Sequence, residues 1–381
     1  MSVTHAKGFI ATGLEVGLKK SGGKDVAIVQ NVGPRKAAAV VFTSNRAKAN
    51  PIIWSQQVAA DGVVEAIVLN SGGANCYTGA QGFQVTHSTA EAVAERLGVS
   101  AGDVLVCSTG LIGDQLPLDK IVAGVASAEL TEDGGIDASL AIMTTDTKPK
   151  RSIVEGDGWS VGGMAKGAGM LAPGLATMLV VITTDADVDS SDLDAALRAA
   201  TRVTFDRLDS DGCMSTNDQV TLLASGASGV IPDSSEFADA IRRVCADLAA
   251  QLQEDAEGAS HDVVIETVNA VTEDDAVEVG RAVARNNLFK AAVFGNDPNW
   301  GRVLAAIGTT AAPFDPYDVD VSMNGVMVCR SGEPGESRDL VDLSARRVHV
   351  LIDLKAGTET ATILTNDLTN DYVHENSAYS S

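Results

Sequence analysis

Short apolar runs separated by glycine-rich turns dominate the N-terminal part of the sequence and restrict what the chain can fold into. The runs at 26–32, 37–42, 52–54 and 64–69 are punctuated by the segments SGG, VGP and NSGGAN, a pattern typical of successive β-strands. Apolar residues make up 45% of the chain but aromatic residues only 4%, so the core must be built mainly from valine, leucine, isoleucine and alanine. These features predict sheets with small, close-packed side chains.

Helical patterns follow these strands and recur along the chain. The clearest helix is predicted at 234–253, where apolar residues from Phe237 onward recur every three or four positions and Asp233 is the predicted N-cap. The remaining predicted helices are 81–97, 117–129 and 191–207, and the later predicted strands are 262–269, 317–323, 326–329, 347–353 and 359–365. Because strand and helix blocks are mixed without a strict βαβα rhythm, the pattern favours layered α/β over a Rossmann or barrel fold.

The charge and the cysteines limit the partners and the location of the chain. With 28 basic and 51 acidic side chains, its formal net charge is −23, which disfavours nucleic acid and anionic membrane surfaces as partners. Five scattered cysteines without a Cys-x-x-Cys pair, and histidines without paired spacing, predict neither disulfides nor a metal site. The first 20 residues lack the apolar stretch of a secretory signal, so a cytoplasmic protein is predicted.

A threonine stands at the entrance of a predicted strand in the segment PGLATMLVVI, residues 173–182. If the Thr177 hydroxyl attacked the carbonyl of Ala176, water could open the resulting ester and leave Thr177 with a free α-amine. Such an amine titrates at about pH 8 and can serve as the base for its own hydroxyl. The same pattern also fits a Pro-Gly turn followed by a core strand with a capping threonine. Pattern alone leaves both interpretations open.

Segments along nearly the whole chain resemble the ornithine acetyltransferase family, the glutamate N-acetyltransferases of arginine biosynthesis. The segment KGAGMLAPGLATMLVVITTDA (166–186) is similar to the signature of that family. The other similar segments are KGF (7–9), NSGGAN (70–75), CSTGLIG (107–113), IMTTDT (142–147), GGMAKGAGM (162–170), DGCMSTND (211–218), DAEG (255–258), NNLFKAAVFGNDPNWGR (286–302) and ENSAYSS (375–381). So many long segments in one order are far more specific than a single short motif.

The resemblance implies the residues of a catalytic site. It implies self-cleavage between Ala176 and Thr177, with Thr177 as the nucleophile and its α-amine as the base. It places an oxyanion hole at Thr109 and Gly110. The substrate-binding residues that it implies are Thr144, Lys166, Thr177, Glu257, Asn376 and Ser381. Which threonine corresponds to Thr144 in this role stays open, because Thr145 and Thr147 lie in the same segment.

The resemblance also implies the fold, the reaction and the assembly. The expected fold is a four-layer α-β-β-α sandwich of the ornithine acetyltransferase/DmpA type over residues 1–275, with a smaller C-terminal α/β lobe over 276–381. The expected reaction moves an acetyl group from N-acetylornithine to Thr177 and then to glutamate, without a metal or organic cofactor. Acetyl-CoA is a further acetyl donor in bifunctional members. Chains 1–176 and 177–381 are expected to stay associated as α and β chains of a heterotetramer.

Two other functions remain open from the sequence. One is a related self-cleaving N-terminal-threonine amidase or aminopeptidase, in which water takes the acyl group from the threonine. The other is an amino-acid-binding module without enzymatic activity, which predicts an uncut polypeptide. The products formed from acetylornithine with and without glutamate, together with the size of the purified chain, separate the three possibilities.

Overall fold

The computed structural model describes residues 2–172 and 178–378. In chain order, the strands are β1 (Phe9–Leu14), β2 (Val26–Asn31), β3 (Ala37–Phe42), β4 (Ala66–Asn70), β5 (Val104–Ser108), β6 (Lys150–Glu155), β7 (Ser160–Lys166), β8 (Leu179–Thr184), β9 (Gln219–Ala224), β10 (Asp262–Ala270), β11 (Asp320–Met323), β12 (Val326–Arg330), β13 (Glu333–Pro334), β14 (Arg347–Asp353) and β15 (Glu359–Asn366). The α-helices are α1 (Asn50–Val58), α2 (Gly79–Leu97), α3 (Leu118–Ala126), α4 (Gly135–Ala141), α5 (Ser190–Val203), α6 (Ser234–Glu254), α7 (Glu273–Ala284), α8 (Asn287–Phe294), α9 (Trp300–Ile307) and α10 (Asn370–Ala378).

Two sheets pack face to face in the N-terminal two-thirds of the chain. One has four strands in the order β1-β2-β4-β5, and the other has five in the order β3-β9-β8-β7-β6. Between them lies one apolar cluster, to which Leu69 and Leu105 contribute from the first sheet and Met164 and Val181 from the second. Helices α2 and α3 cover the outer face of the four-stranded sheet, and α5 and α6 cover that of the five-stranded sheet. The mixed α/β class is confirmed, whereas the four-layer count stays a prediction.

A third sheet forms the core of the C-terminal part. Its six strands run in the order β13-β12-β11-β14-β10-β15, and residues of α7, α8 and α9 complete its apolar cluster. Strand β10 precedes residue 275, yet it pairs with β14 and β15 in this sheet. The division into residues 1–275 and 276–381 stays a prediction.

The predicted segments agree with the structure at most positions and fail at one. Asp233 is the N-cap of α6, and its carboxylate accepts hydrogen bonds from the N–H groups of Ser235 and Glu236. The strand predicted at 52–54 is wrong, because these residues belong to helix α1. Pro51 stands at the start of that helix, where its missing N–H costs nothing, and the buried residues Ile52, Ser55 and Val58 recur every three positions.

The described helices include none with the length and apolar character that a membrane crossing requires.

Candidate active site

Thr109 directly follows β5, on the side of the strand that faces the other sheet. Leu105 and Cys107 belong to the cluster between the two sheets, and side chains two apart in a strand share a face. The continuation of that alternation directs Thr109 the same way, and only 2% of this residue is exposed. Its carbonyl accepts a hydrogen bond of 3.0 Å from the N–H of Gly73, which fixes the turn after β5 against the turn after β4.

Lys166 reaches Thr109 from the opposite sheet. It is the last residue of β7, two positions after Met164, which packs between the sheets. The same alternation therefore brings a lysine to the edge of the inter-sheet core. Its Nζ donates a 3.3 Å hydrogen bond to Thr109 Oγ1. Because the ammonium occupies an acceptor position of this oxygen, the Thr109 hydroxyl keeps its own proton free to donate to a ligand.

The environment of Lys166 acts on its charge in opposing ways. Burial lowers the pKa of this amine, while the carboxylate of Asp146 favours the ammonium form. Burial by itself would raise the pKa of Asp146, but Lys166 and Lys150 bring it below its usual value. Within the site, Asp146 is therefore an anion placed against the charge of Lys166.

Gly110 follows Thr109 in a conformation that side chains rarely adopt. Its φ is +129°, and a Cβ atom built on it would lie 2.7 Å from the backbone nitrogen of Gly73. No hydrogen bond runs from the Gly110 N–H to another described residue. A backbone N–H of this kind beside a hydroxyl donor is the arrangement that stabilises a developing oxyanion.

All predicted site residues that the structure describes line one cavity. Its volume is about 510 Å³, within the range of roughly 300–1,000 Å³ typical of small-molecule sites. Its predicted members are Thr109, Gly110, Thr144, Lys166, Glu257 and Asn376. Although the chain carries a net charge of −23, Lys19 and Lys20 also line this cavity, and Asp114 provides a further acid. Side chains of both signs suit an amino-acid ligand, which carries both an ammonium and a carboxylate.

Glu257 and Asn376 come from distant parts of the chain and contact each other. Glu257 follows α6, and its N–H donates a 2.9 Å hydrogen bond to the carbonyl of Ala168. Its carboxylate lies directly over Gly169, where a Cβ atom would approach Glu257 Oε2 to 2.5 Å. Asn376, on helix α10, donates from Nδ2 to Glu257 Oε2 at 3.0 Å. The C-terminal helix thereby reaches the cavity.

In the segment 144–147, some threonines line the cavity and one bonds to a buried carboxylate instead. Thr144 and Thr145 both line the cavity. Thr147 instead donates from its backbone N–H to Asp255 Oδ2 at 3.0 Å, and its hydroxyl also bonds to that carboxylate. This geometry favours Thr144 or Thr145 over Thr147 as the residue that meets a ligand.

Three predicted residues, Ala176, Thr177 and Ser381, lie outside the described residues. The chain resumes at Met178, whose N–H donates a 3.1 Å hydrogen bond to Asp218 Oδ1. Burial raises the pKa of Asp218 well above its usual value. Next along the chain, Leu179 pairs with Lys166 on one side and with Gln219 on the other. The strand that follows Thr177 therefore begins beside Lys166.

Sequence reasoning missed several polar residues of this region. Asp146 and Asp218 stand inside the segments IMTTDT and DGCMSTND, but nothing in the sequence distinguishes them from other acidic residues. Lys150 and Asp255 are fully or almost fully buried ionic side chains, which are rare in proteins. A single sequence does not show which side chains are buried. Lys150, in the segment TKPKR, therefore cannot be told from an ordinary exposed lysine.

Within residues 2–172 and 178–378, no group of three or more His, Cys, Asp or Glu side chains is arranged to hold a metal ion.

Comparisons with known proteins identify one family over almost the whole chain. Residues 10–381 match the ArgJ family. The arginine biosynthesis bifunctional protein ArgJ of Streptomyces avermitilis is 66% identical over 383 residues, and that of Streptomyces coelicolor is 65% identical; both alignments cover 100% of each chain. A solved ornithine acetyltransferase from Mycobacterium tuberculosis, in complex with ornithine, is 54% identical and covers 45% of this chain and 94% of its own, with a TM-score of 0.44.

Proposed function

This chain belongs to the ArgJ family, and on that premise we propose that it carries the acetyl group from N-acetylornithine to glutamate on Thr177. It is an ornithine acetyltransferase of arginine biosynthesis, like its full-length relatives. The observation that supports the site best is the cavity of about 510 Å³, which gathers all the predicted site residues described.

In the first half-reaction the Thr177 hydroxyl oxygen attacks the acetyl carbonyl carbon of N-acetylornithine. The hydroxyl proton passes to the α-amine of Thr177, which acts as the base. The tetrahedral intermediate then expels the amine of ornithine, which takes that proton. An acetyl ester on Thr177 and free ornithine result.

In the second half-reaction the amine of glutamate attacks the acetyl ester. The α-amine of Thr177 accepts a proton from the attacking nitrogen and returns it to the departing threonine oxygen. N-acetylglutamate leaves and the enzyme is restored, so atoms and charge balance without a cofactor.

The oxyanion of both intermediates is stabilised by Thr109 and Gly110. The Lys166 bond to Thr109 Oγ1, at 3.3 Å, supports this role because it leaves the hydroxyl proton available. Preorganised donors of this kind act most strongly in a site from which water is excluded.

The substrates are held by charges of both signs. We assign the α-carboxylate to Lys166, which is the buried cation of the cavity, and the ornithine ammonium to Glu257. Asn376, which donates a hydrogen bond to Glu257, and Ser381 are the substrate-binding residues that we assign to the C-terminal segment. Thr144 completes the contacts with the substrate.

The active form consists of two chains under this proposal. Cleavage between Ala176 and Thr177 gives chains 1–176 and 177–381. Strand β8 of the second chain pairs with β7 of the first, so the two chains share one sheet. Two such pairs form a heterotetramer, and acetyl-CoA serves as an additional acetyl donor to glutamate.

The test combines the mass of the purified protein with the products of its reaction. We expect two fragments separated at residue 177, and N-acetylglutamate formed from N-acetylornithine at a rate that requires glutamate. Free acetate released equally fast without glutamate would favour the N-terminal-threonine amidase. An uncut, inactive polypeptide that still binds ornithine would favour a binding module.

Removal of the Thr109 hydroxyl is expected to slow the reaction without weakening substrate binding. A Thr109→Val variant keeps the shape of the side chain but loses the donor to the oxyanion. We expect kcat to fall by about 10²–10³-fold with KM within a few-fold of its original value. Thr109→Ser keeps the hydroxyl and is the matched control. Equal losses in both variants would argue against an oxyanion role.

A further inference from the structure

A buried ion cluster lies behind the cavity. Lys150, none of whose side chain is exposed, donates from Nζ to Asp146 Oδ1 and to Asp255 Oδ2, each at 2.6 Å. The side chain of Asp146 is also unexposed, and that of Asp255 is 4% exposed. Burying three charges is costly unless each is paired and hydrogen-bonded, and these three are. The predicted reaction scheme gives them no part.

The two carboxylates of this cluster also bind backbone groups. Asp146 Oδ1 accepts the N–H of Gly167 at 2.7 Å, and its Oδ2 accepts the N–H of Thr144 at 2.9 Å. Asp255 Oδ2 accepts the N–H of Thr147 at 3.0 Å. The cluster therefore ties together the segment 144–147, the end of β7 and the end of α6.

Each tied segment carries a residue of the cavity. Thr144 bonds directly to Asp146, Lys166 immediately precedes Gly167, and Glu257 stands two residues after Asp255. The buried ion cluster thus sets the orientation of these three residues toward a substrate.

The cluster also balances the charge of Lys166. Among the described residues, the charged groups with the largest influence on this lysine are Asp146, Lys150, Asp218 and Glu257. Of the carboxylates, Asp146 has the largest influence, while burial and Lys150 oppose the ammonium form. Asp218 is buried in a way that favours its neutral form, and Glu257 faces the substrate. Asp146 is left as the fixed anion that supports the charge of Lys166.

We propose that Asp146, held in place by Lys150 and Asp255, is a positioning residue of the acetyl-transfer site: it fixes Thr144 and the end of β7, and it keeps Lys166 charged for the substrate carboxylate. This inference rests on the proposed function, because the carboxylate is that of the acetylornithine or glutamate bound there. Asp146 itself lies behind the cavity lining and acts through Lys166.

Three variants separate charge from packing. Asp146→Asn removes the negative charge at nearly constant volume, and Asp146→Glu keeps the charge but disturbs the packing. Asp185→Asn is the matched control, since Asp185 is also a buried carboxylate that accepts backbone N–H groups, from Lys7 and Ser160. Ser160 begins β7 and Lys166 ends it, so the control alters the opposite end of the same strand.

The measurement is the pH dependence of KM for N-acetylornithine with the processed enzyme. KM is low while Lys166 is an ammonium and rises as the pH passes through its pKa. Loss of the Asp146 charge lowers that pKa further, so in Asp146→Asn the rise of KM should begin about one pH unit lower or more. Asp146→Glu and Asp185→Asn should keep the original pH profile, whatever their melting temperatures.

A second readout does not depend on catalysis. Competitive labelling with acetic anhydride, read by mass spectrometry, follows the neutral fraction of Lys166 directly, and its midpoint should move down by the same amount in Asp146→Asn. An unchanged labelling midpoint in Asp146→Asn, or an equal shift in Asp185→Asn, would overturn the inference. If the unchanged enzyme transfers no acetyl group, the proposed function fails, and the labelling midpoints still decide whether Asp146 controls Lys166.

Discussion

A Thr177→Ala variant is expected to remain one polypeptide of 381 residues and to form no N-acetylglutamate. Without the hydroxyl there is no attack on the Ala176 carbonyl, so the α-amine that serves as base is never freed. Removal of a nucleophile lowers kcat by about 10⁴-fold or more in comparable acyl-transfer sites. Intact mass shows the first effect, and chromatography of the products from N-acetylornithine and glutamate shows the second.

The control for this variant is Thr177→Ser, which keeps a hydroxyl at the same place. We expect it to cleave itself and to transfer acetyl groups, although at a changed rate. Transfer by uncut Thr177→Ala protein would show that another residue carries the acetyl group. If Thr177→Ala were cut but inactive, the proposed route of self-cleavage would be wrong.

The second large effect is expected for Gly110→Ala. The glycine has a φ of +129°, and a Cβ atom there would lie 2.7 Å from the nitrogen and 2.9 Å from the Cα atom of Gly73. Backbone atoms cannot rotate away from the added Cβ atom as a side chain could. The loop that carries the oxyanion donors must therefore shift. We expect kcat to fall by about 10²–10³-fold, and the free energy of unfolding to fall by about 1–3 kcal/mol.

The variant Gly113→Ala separates the effect of an unfavourable φ angle from the effect of displacing the turn. Gly113 lies in the same turn with a φ of +93°, but a Cβ atom on it would meet nothing within 4 Å. This variant should lose stability through its unfavourable φ and keep a kcat close to that of the unchanged enzyme. Steady-state kinetics and thermal unfolding of the pair test the assignment, and equal kcat values in the two variants would contradict it.

Much of the fold could be predicted from the spacing of apolar residues. The strands at 37–42 and 347–353 have the bounds that the pattern predicts. Short apolar runs that contain valine, alanine or isoleucine and are bounded by turns favour a strand over a helix. The segment 52–54 failed because a three-residue apolar run carries no period, and its helical character depends on Pro51 and on buried Ser55. The pairing of β7 with β8 across the predicted cleavage point is a long-range property that local patterns do not contain.

The candidate site was predicted unevenly. Resemblance identified Lys166, Glu257 and Asn376, which the structure brings to one cavity from separate elements. Residue spacing alone would have left all three as ordinary surface charges or a frayed terminus. The ion cluster around Lys150 was not predicted, since its meaning comes from complete burial between segments more than 100 residues apart. The roles of Ala176, Thr177 and Ser381, which lie outside the described residues, stay predictions.

The hydrogen bond from Lys166 to Thr109 crosses the layer between the two sheets. The two residues belong to different sheets, whose separation is set by apolar side chains such as Met164 and Leu105 rather than by the polar groups themselves. The distance between Lys166 and Thr109 therefore depends on how the apolar side chains between the sheets pack. A substitution of one methylene group in this layer would move the lysine relative to the threonine, even though every group that contacts a reactant stayed the same.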